Sequence, residues 1–195
     1  DAARNNLNVA IYGLRQTLRN GYHEFSHILF QDNAYQFNPE LQIWTDFETF
    51  ANHVQAAKKF DQDGKHELPI REHHAAEVLY QGEFLAEDRY DEWPVPIRHS
   101  LQNKFLDVLV QLRSYYFVQE DYAACVNFCH KILAVEPCHE STHRRLMRCY
   151  SRQNQHYLGI RQFHHCVEVL KSDLDVVPAP QTTRLYEQIR NHQPV

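Results

Sequence analysis

The sequence is poor in glycine, since its 195 residues include only five. A turn-rich β-sandwich uses glycine at many of its tight turns, so this composition disfavours that class of fold. No apolar run reaches the length of about 18 residues that a membrane-spanning helix needs. The first residues also lack the charged and apolar segments of a secretory signal. We therefore expect a cytoplasmic protein that has no membrane partner.

Motifs that carry catalysis are also missing. The sequence contains no glycine-rich loop for a phosphate and no strained serine elbow. Acidic pairs such as Glu87-Asp88 lie in a proline-flanked loop, where carboxylates are usually solvated. We predict that the protein is not an enzyme and that it has no cofactor. A deep cavity around Glu83, His73 and His74 would contradict that prediction.

The charge balance is mildly acidic, with a formal net charge of −5 when the histidines are neutral. The molecule as a whole is therefore not a general nucleic-acid binder, and any contact with DNA has to be local. The number of cysteines is odd, at five. Cys125 and Cys129 lie one helical turn apart on an apolar stripe, which favours reduced, buried thiols over disulfides.

Fourteen histidines suggest a metal site at first sight. His139 and His143 are spaced i, i+4, and His73-His74 and His164-His165 are adjacent pairs. A structural zinc site needs four converging nitrogen or sulfur ligands, commonly in short-spaced pairs. No such set is visible in the sequence, so we predict no metal site.

From Thr45 onward the apolar residues recur with helical periodicity almost throughout. Residues 45–48 have the pattern of a capping box ahead of an apolar stripe. Further helices are predicted between Pro69 and Gly82 and across residues 101–116. The chain is thus almost entirely helical from Thr45 onward, its downstream half included, in this interpretation.

Two segments of that half, QEDYAACVNFCHKIL and NQHYLGIRQFHHCVEV, resemble each other. They align Tyr122 with Tyr157 and Phe128 with Phe163, at an offset of 35 residues (157 minus 122). This offset is close to the tetratricopeptide period of about 34 residues. Two unrelated amphipathic hairpins are the alternative, but the shared aromatic, turn and proline positions favour repeats. We predict an all-α, tetratricopeptide-like stack of helical hairpins, capped by a last helix at residues 182–190.

A tetratricopeptide stack presents a concave groove, which is lined by the first helix of each hairpin. The repeat register predicts that this groove is lined by Asp107, Val110, Ser114, Phe117, Thr142, Arg145, Cys149 and Arg152. A groove that combines an aromatic ring with arginines can accept an acidic peptide or an anionic effector. Occupation by another part of the chain is the alternative. Arg113 and Arg148 stand where the repeat consensus prefers a small residue, so we expect loose packing there or guanidinium groups that reach solvent.

The N-terminal segment differs in character from the rest. Leu7, Ile11 and Leu14 recur at helical spacing, whereas the arginine and asparagine residues lie largely off that face. Asn20-Gly21 would end this helix. Two short strands, at residues 28–30 and 35–37, would then flank a turn. A helix and a hairpin bury little by themselves, so we expect their apolar side chains to be covered by the helical domain.

Four segments of the chain are similar to segments of one family of regulators. They are RNNLNVAIYGLRQTLR, YQFNPELQIWTDFETF, LYQGEFLAEDRYDEW and DYAACVNFCHKILAVEPCHESTHRRLMRCY. In combination they resemble the SARP-type transcriptional activators, in which a tetratricopeptide-like bacterial transcriptional activator domain follows an OmpR-type winged helix. The resemblance implies that residues 1–39 are the C-terminal part of a winged helix, with its recognition helix and wing. Residues 40–195 would be the activator domain.

The resemblance also implies which residues contact DNA in the intact protein. In the family the recognition helix faces the major groove, and the wing lies near a phosphate strand or the minor groove. The matching residues are Arg4, Asn5, Asn6, Asn8, Tyr12 and Arg15 in the helix, and Gln31 and Asn33 in the wing. Arginine and asparagine suit bidentate contacts with bases, but a solvated helix face would have the same composition.

The function implied by the resemblance is regulation of transcription through non-catalytic protein contacts that control the attached winged helix. The partners would be DNA, bound by the intact winged helix, and either RNA polymerase or a second copy of the chain. An alternative in another class is a sensor that binds a small-molecule effector or a metal in the concave groove. Tightly bound stoichiometric zinc would favour that alternative.

Overall fold

The computed structural model describes residues 2–19, 26–64, 67–88 and 90–195. The chain divides into two compact units, residues 1–44 and residues 45–195. Within the described ranges it forms eight helices and one two-stranded hairpin. The fold is therefore predominantly helical, as the sequence predicts. None of the described helices is long and apolar enough to cross a membrane.

The first unit contains α1 (Ala2–Arg19), β1 (Ile28–Gln31) and β2 (Ala34–Phe37). The second unit contains α2 (Asp46–Gln62), α3 (Leu68–Leu79), α4 (Val95–Val118), α5 (Tyr122–Val135), α6 (Glu140–Arg152), α7 (His156–Leu174) and α8 (Pro180–Arg190). Helices α3, α4 and α8 carry a proline in their first turn. A backbone N–H at this position has no intrahelical acceptor, so proline, which lacks the N–H, costs the helix no hydrogen bond. Thr45 is the N-cap residue of α2, but the Thr45 bond of the predicted capping box is not formed. Its hydroxyl donates to the Glu48 carboxylate at 2.8 Å and caps no backbone N–H.

Strands β1 and β2 pair antiparallel, with Ile28 opposite Phe37 and Gln31 opposite Ala34. The two-residue turn between them consists of Asp32 and Asn33, whose φ angles are 51° and 62°. Hairpin turns of type I′ require positive φ at both positions, and aspartate and asparagine tolerate it better than other side chains. Each strand therefore runs one residue closer to the turn than the sequence pattern predicts. The predicted end of α1 at Asn20-Gly21 lies outside the described residues.

In the second unit each helix packs on the next one along the chain, and further contacts join α2 to α4 and α6 to α8. Such neighbour-to-neighbour packing is typical of helical repeat stacks. The core consists of three clusters of buried side chains, which include Phe50, Leu109 and Ile132 (α2, α4 and α5), Cys125, Cys129 and Leu146 (α5 and α6), and Met147, Leu185 and Ile189 (α6 and α8). All five cysteines are free, and the predicted burial of Cys125 and Cys129 is confirmed.

Gly159 on α7 allows the backbone of this helix to lie close to α6 and α8. A Cβ atom at this position would lie 3.4 Å from the carbonyl oxygen of Met147 and 3.4 Å from the Cδ1 atom of Ile189. A larger side chain would therefore push directly against the third core cluster.

Candidate nucleic-acid and protein interfaces

Helix α1 turns a polar arc to solvent. Four of the predicted DNA-contact residues are exposed on this arc: Arg4, Asn5, Asn8 and Tyr12. Because an α-helix turns 100° per residue, these four lie within about 100° of one another around the axis. Asn6 is also exposed but lies about 160° around the axis from Arg4. A groove that faces Arg4 and Asn8 would therefore not face Asn6.

Arg15 lies on the same arc but bonds to the hairpin. Its Nε and Nη2 atoms donate to the carbonyl oxygen of Ile28 at 3.2 and 2.8 Å. Its guanidinium carbon lies 5.8 Å from the centre of the Tyr35 ring. The Tyr35 hydroxyl donates in turn to the side-chain oxygen of Asn8 at 2.8 Å. The structure thus gives Arg15 a positioning contact between helix and hairpin, where the resemblance implied a free guanidinium for DNA.

An open concavity of about 650 Å³ lies between α1 and the hairpin, and Arg4, Asn8 and Asn33 line it. Both predicted wing residues, Gln31 and Asn33, are exposed. The side-chain oxygen of Gln31 accepts a hydrogen bond from Gln36 at 2.8 Å. The structure therefore places Asn33, but not Gln31, in the concavity beside the polar arc of α1.

The apolar side chains of the first unit are only partly covered. Ile28 is 4% exposed, whereas Leu7, Leu14 and Phe30 are 51%, 44% and 50% exposed. The Phe30 ring packs on Tyr35, with ring centres 4.8 Å apart. The expectation that these side chains are covered is therefore wrong for Leu7, Leu14 and Phe30, and only Ile28 of the four is buried.

Two of the eight predicted groove residues, Thr142 and Cys149, are fully buried. Thr142 accepts a hydrogen bond from Nη1 of Arg113 at 2.6 Å, and the Cys149 sulfur lies 3.4 Å from that of Cys125. Because both side chains face the interior, the prediction that they line an accessible groove is wrong. The other six are exposed (Asp107 and Arg152) or half-buried (Val110, Ser114, Phe117 and Arg145).

The outward side of α6 is strongly basic, with Arg144, Arg145, Arg148 and Arg152 in its sequence. Nη1 of Arg144 lies 3.4 Å from the Glu140 carboxylate, the one carboxylate that pairs with any of the four arginines in the described part of the chain. The guanidinium carbon of Arg145 lies 4.0 Å from the centre of the Phe117 ring. Burial lowers the pKa of Arg148, and the charges of Arg145 and Arg144 lower it further.

Arg113 is buried, with 6% of its surface exposed. Its guanidinium therefore does not reach solvent, which was one of the two outcomes expected for it. Its Nε atom has no hydrogen-bond partner among the described residues. Burial is the main reason why its pKa is lowered.

His143 belongs to a buried hydrogen-bond network. Its Nε2 atom lies 2.8 Å from the carbonyl oxygen of Pro137, which can only accept, so Nε2 carries a proton. Its Nδ1 atom lies 2.6 Å from Nε2 of Gln162, which donates to it. Burial lowers the pKa of His143, in keeping with this neutral ring. In the described ranges, no three histidine, cysteine or acidic side chains come together as a metal ion would require.

The three residues that could have suggested an enzyme do not converge. Glu83 lines a cavity of about 410 Å³, whereas His73 lines a different cavity of about 290 Å³. His74 is hydrogen-bonded to the Tyr116 hydroxyl at 2.9 Å. No shared pocket of acid and base groups forms from these three side chains.

These features define the second unit as a tetratricopeptide-like helical domain. Residues 45–190 match the family model of the bacterial transcriptional activator domain, and the chain therefore belongs to that family. The match begins at the boundary between the two units and does not include the first.

Two solved structures are similar to the chain. EmbR of Mycobacterium tuberculosis, in complex with a low-affinity phosphopeptide, aligns with 100% of this chain and 52% of its own, at 17% identity and a TM-score of 0.72. The C-terminal TPR-containing domain of a Plasmodium falciparum protein aligns with 76% of this chain and 93% of its own, at 12% identity and a TM-score of 0.53.

At such low identity these two likenesses concern the fold alone, and they confirm the predicted tetratricopeptide-like class. The chain spans about half the length of the EmbR chain that it matches. A search of curated protein sequences gave no match.

Proposed function

We propose that this chain is the regulatory part of a DNA-binding transcriptional activator. In this proposal residues 2–37 contact DNA, and the helical unit makes the protein contacts that control the activator. The family of the second unit supports the regulatory role. RNA polymerase or a second copy of the chain is the partner that the family resemblance implies. No chemical step is required, because such control is a shift between populations of bound and free states.

The observation that carries the DNA part of the proposal is the polar arc of α1. Arg4 and Asn8 are exposed side by side on this arc. The Arg4 guanidinium can form a bidentate contact with a base edge, and Asn8, whose Oδ1 already accepts from Tyr35, still has its amide N–H groups to donate. Asn33 lies beside them in the same concavity and can reach a phosphate. In this proposal Arg15 positions the hairpin against α1 through its bonds to the Ile28 carbonyl, which supports a positioning role over base reading.

We expect the chain to neutralise only a few DNA phosphates, so its affinity for DNA should be low. The net charge of the chain is −5, and protein–DNA affinity depends largely on phosphate neutralisation by cations. We therefore expect weak binding of duplex DNA by the 195-residue chain, with strong salt dependence and little sequence preference.

The test is fluorescence anisotropy with labelled duplexes at salt concentrations from about 50 to 200 mM. Asn8→Ala should weaken binding, whereas Asn6→Ala, the same change on another side of α1, should not. Arg4→Ala should lower the salt slope by about one if Arg4 contacts a phosphate. In a full-length activator bound to its promoter, either Arg4→Ala or Asn8→Ala should cost about 1–3 kcal/mol if the residue reads a base. Equal effects of the two asparagine variants would refute the assignment of the polar arc.

A further inference from the structure

Three arginines on the outward side of α6 form a compact cationic surface. Arg145, Arg148 and Arg152, here called the α6 arginine stripe, follow one another at i, i+3 and i+7 and lie within about 60° around the helix axis. Arg152 is exposed and the other two are half-buried. Among the described residues none of the three pairs with a carboxylate, whereas the neighbouring Arg144 pairs with Glu140.

The charge of the stripe is not compensated by the described part of the chain. Arg148 is half-buried beside Arg145 and Arg144, and both of these charges oppose its own. The buried Arg113 adds to the same positive field, since the charge of Arg145 also acts to lower the pKa of Arg113. Partly desolvated like charges repel one another, and a bound anion relieves that repulsion.

An aromatic wall stands next to the stripe. The Arg145 guanidinium lies over the half-buried Phe117 ring at 4.0 Å, and the Tyr122 ring packs on Phe117 in a T-shaped arrangement with centres 5.7 Å apart. Stacking fixes the plane of the guanidinium, and a fixed guanidinium suits bidentate pairing with a carboxylate.

We propose that the α6 arginine stripe and Phe117 bind an acidic peptide segment of a partner protein. Its carboxylates pair with the stripe, and an apolar side chain between them packs on Phe117. The aromatic wall favours this ligand over duplex DNA, whose backbone presents phosphates and no apolar side chain. This inference rests on the proposed protein contacts of the helical unit, and it does not depend on DNA binding by residues 2–37.

The probe is a short fluorescein-labelled peptide of alternating Asp, Glu and Phe, titrated with the full 195-residue chain at about 50 mM salt. A second peptide with Asn and Gln in place of Asp and Glu has the same shape without the charge. We expect the acidic peptide to bind and the neutral one to bind at least tenfold more weakly. Each of Arg145→Gln, Arg148→Gln and Arg152→Gln should weaken binding by roughly tenfold, as the loss of one charge-assisted contact does.

The matched control is Arg161→Gln, an exposed arginine on α7 outside the stripe, which should change the affinity less than about twofold. Thermal unfolding shows whether each variant is folded. Arg152→Gln, at the exposed end of the stripe, keeps the test valid if substitution of a half-buried arginine disturbs α6.

Several results would overturn the proposal. One is a dissociation constant for the acidic peptide above about 1 mM. Another is unchanged peptide binding after substitution of all three arginines. A third is a loss of peptide affinity in Arg161→Gln that equals the loss in the stripe variants. Tighter binding of duplex DNA than of peptide, lost in the same stripe variants, would assign the stripe to phosphates instead. The effect of Asn8→Ala on DNA binding is measured separately, so failure of the stripe is distinguishable from failure of the proposed function.

Discussion

The contact between Glu140 on α6 and the start of α8 offers a sharp test of how the stack is held together. Oε1 of Glu140 accepts hydrogen bonds from the backbone N–H of Ala179 at 2.8 Å, from the Thr182 hydroxyl, and from Nη1 of Arg144 at 3.4 Å. Ala179 is the N-cap of α8 and has no side chain that could cap the helix. Glu140 therefore serves as the cap from a different helix, and Glu140→Ala should destabilise the docking of α8.

The expected loss of stability in Glu140→Ala can be worked out from these hydrogen bonds. A hydrogen bond to a charged group contributes about 1.5–3 kcal/mol, so the two shorter bonds together would contribute about 3–6 kcal/mol. Glu140 is 22% exposed, and water replaces part of what is lost. We therefore expect Glu140→Ala to lower the free energy of unfolding by about 2–4 kcal/mol. Glu140→Gln, which keeps an acceptor oxygen, should cost about 1–2 kcal/mol.

Urea unfolding followed by circular dichroism measures the stability of both variants. The slope of the free energy of unfolding against urea concentration should be the same as in the unsubstituted chain. The control is Glu187→Ala on α8, because Glu187 forms an exposed pair with Arg190 at 3.8 Å. Such a pair contributes less than about 1 kcal/mol. If Glu140→Ala costs no more than Glu187→Ala, Glu140 does not cap α8 and the reasoning fails.

Three further predictions concern the core and its histidine. Ile132 is fully buried, so Ile132→Ala should lower the free energy of unfolding in urea by about 2–5 kcal/mol. At Gly159 a Cβ atom would just touch its neighbours, so Gly159→Ala should be nearly neutral in the same assay, whereas Gly159→Val should cost about 1–3 kcal/mol. Because burial lowers the pKa of His143 from 6.5, the unfolded chain binds more protons as the pH falls through about 6.5, and stability should fall with it. In urea titrations at several pH values this loss should be smaller in His143→Gln than in the unsubstituted chain, and equal slopes in the two proteins would contradict the assignment.

The elements of the fold could be predicted from the sequence because they depend on local patterns. The N-cap at Thr45, the hairpin turn at Asp32 and Asn33, and the prolines at helix starts all act within a few residues. The buried thiols were also predictable, since Cys125 and Cys129 share an apolar stripe with their neighbours. In each case the decisive interaction links residues that are close in sequence.

The details of the candidate sites could not be predicted in the same way. Arg15 bonds the Ile28 carbonyl, and no side-chain pattern identifies which backbone oxygen a guanidinium will meet. Thr142 and Cys149 were assigned to the groove by repeat register alone, but the rotation of α6 turns both toward buried partners. Glu140 caps a helix 39 residues further along the chain, a distance at which sequence spacing carries no information. The position of Asn6 away from Arg4, by contrast, follows from helix geometry and was accessible from the sequence.

Thermodynamic linkage restricts how the two proposed activities can cooperate. A peptide that binds the α6 arginine stripe can change DNA affinity only if it binds the DNA-bound and DNA-free states of the chain with different affinity. The coupling is reciprocal, so DNA must change peptide affinity by the same factor. A regulatory domain of this family needs no catalytic group for such control, because the differential free energy of two binding events is sufficient. The polar arc of α1 and the stripe on α6 are the two surfaces of this chain between which that coupling would operate.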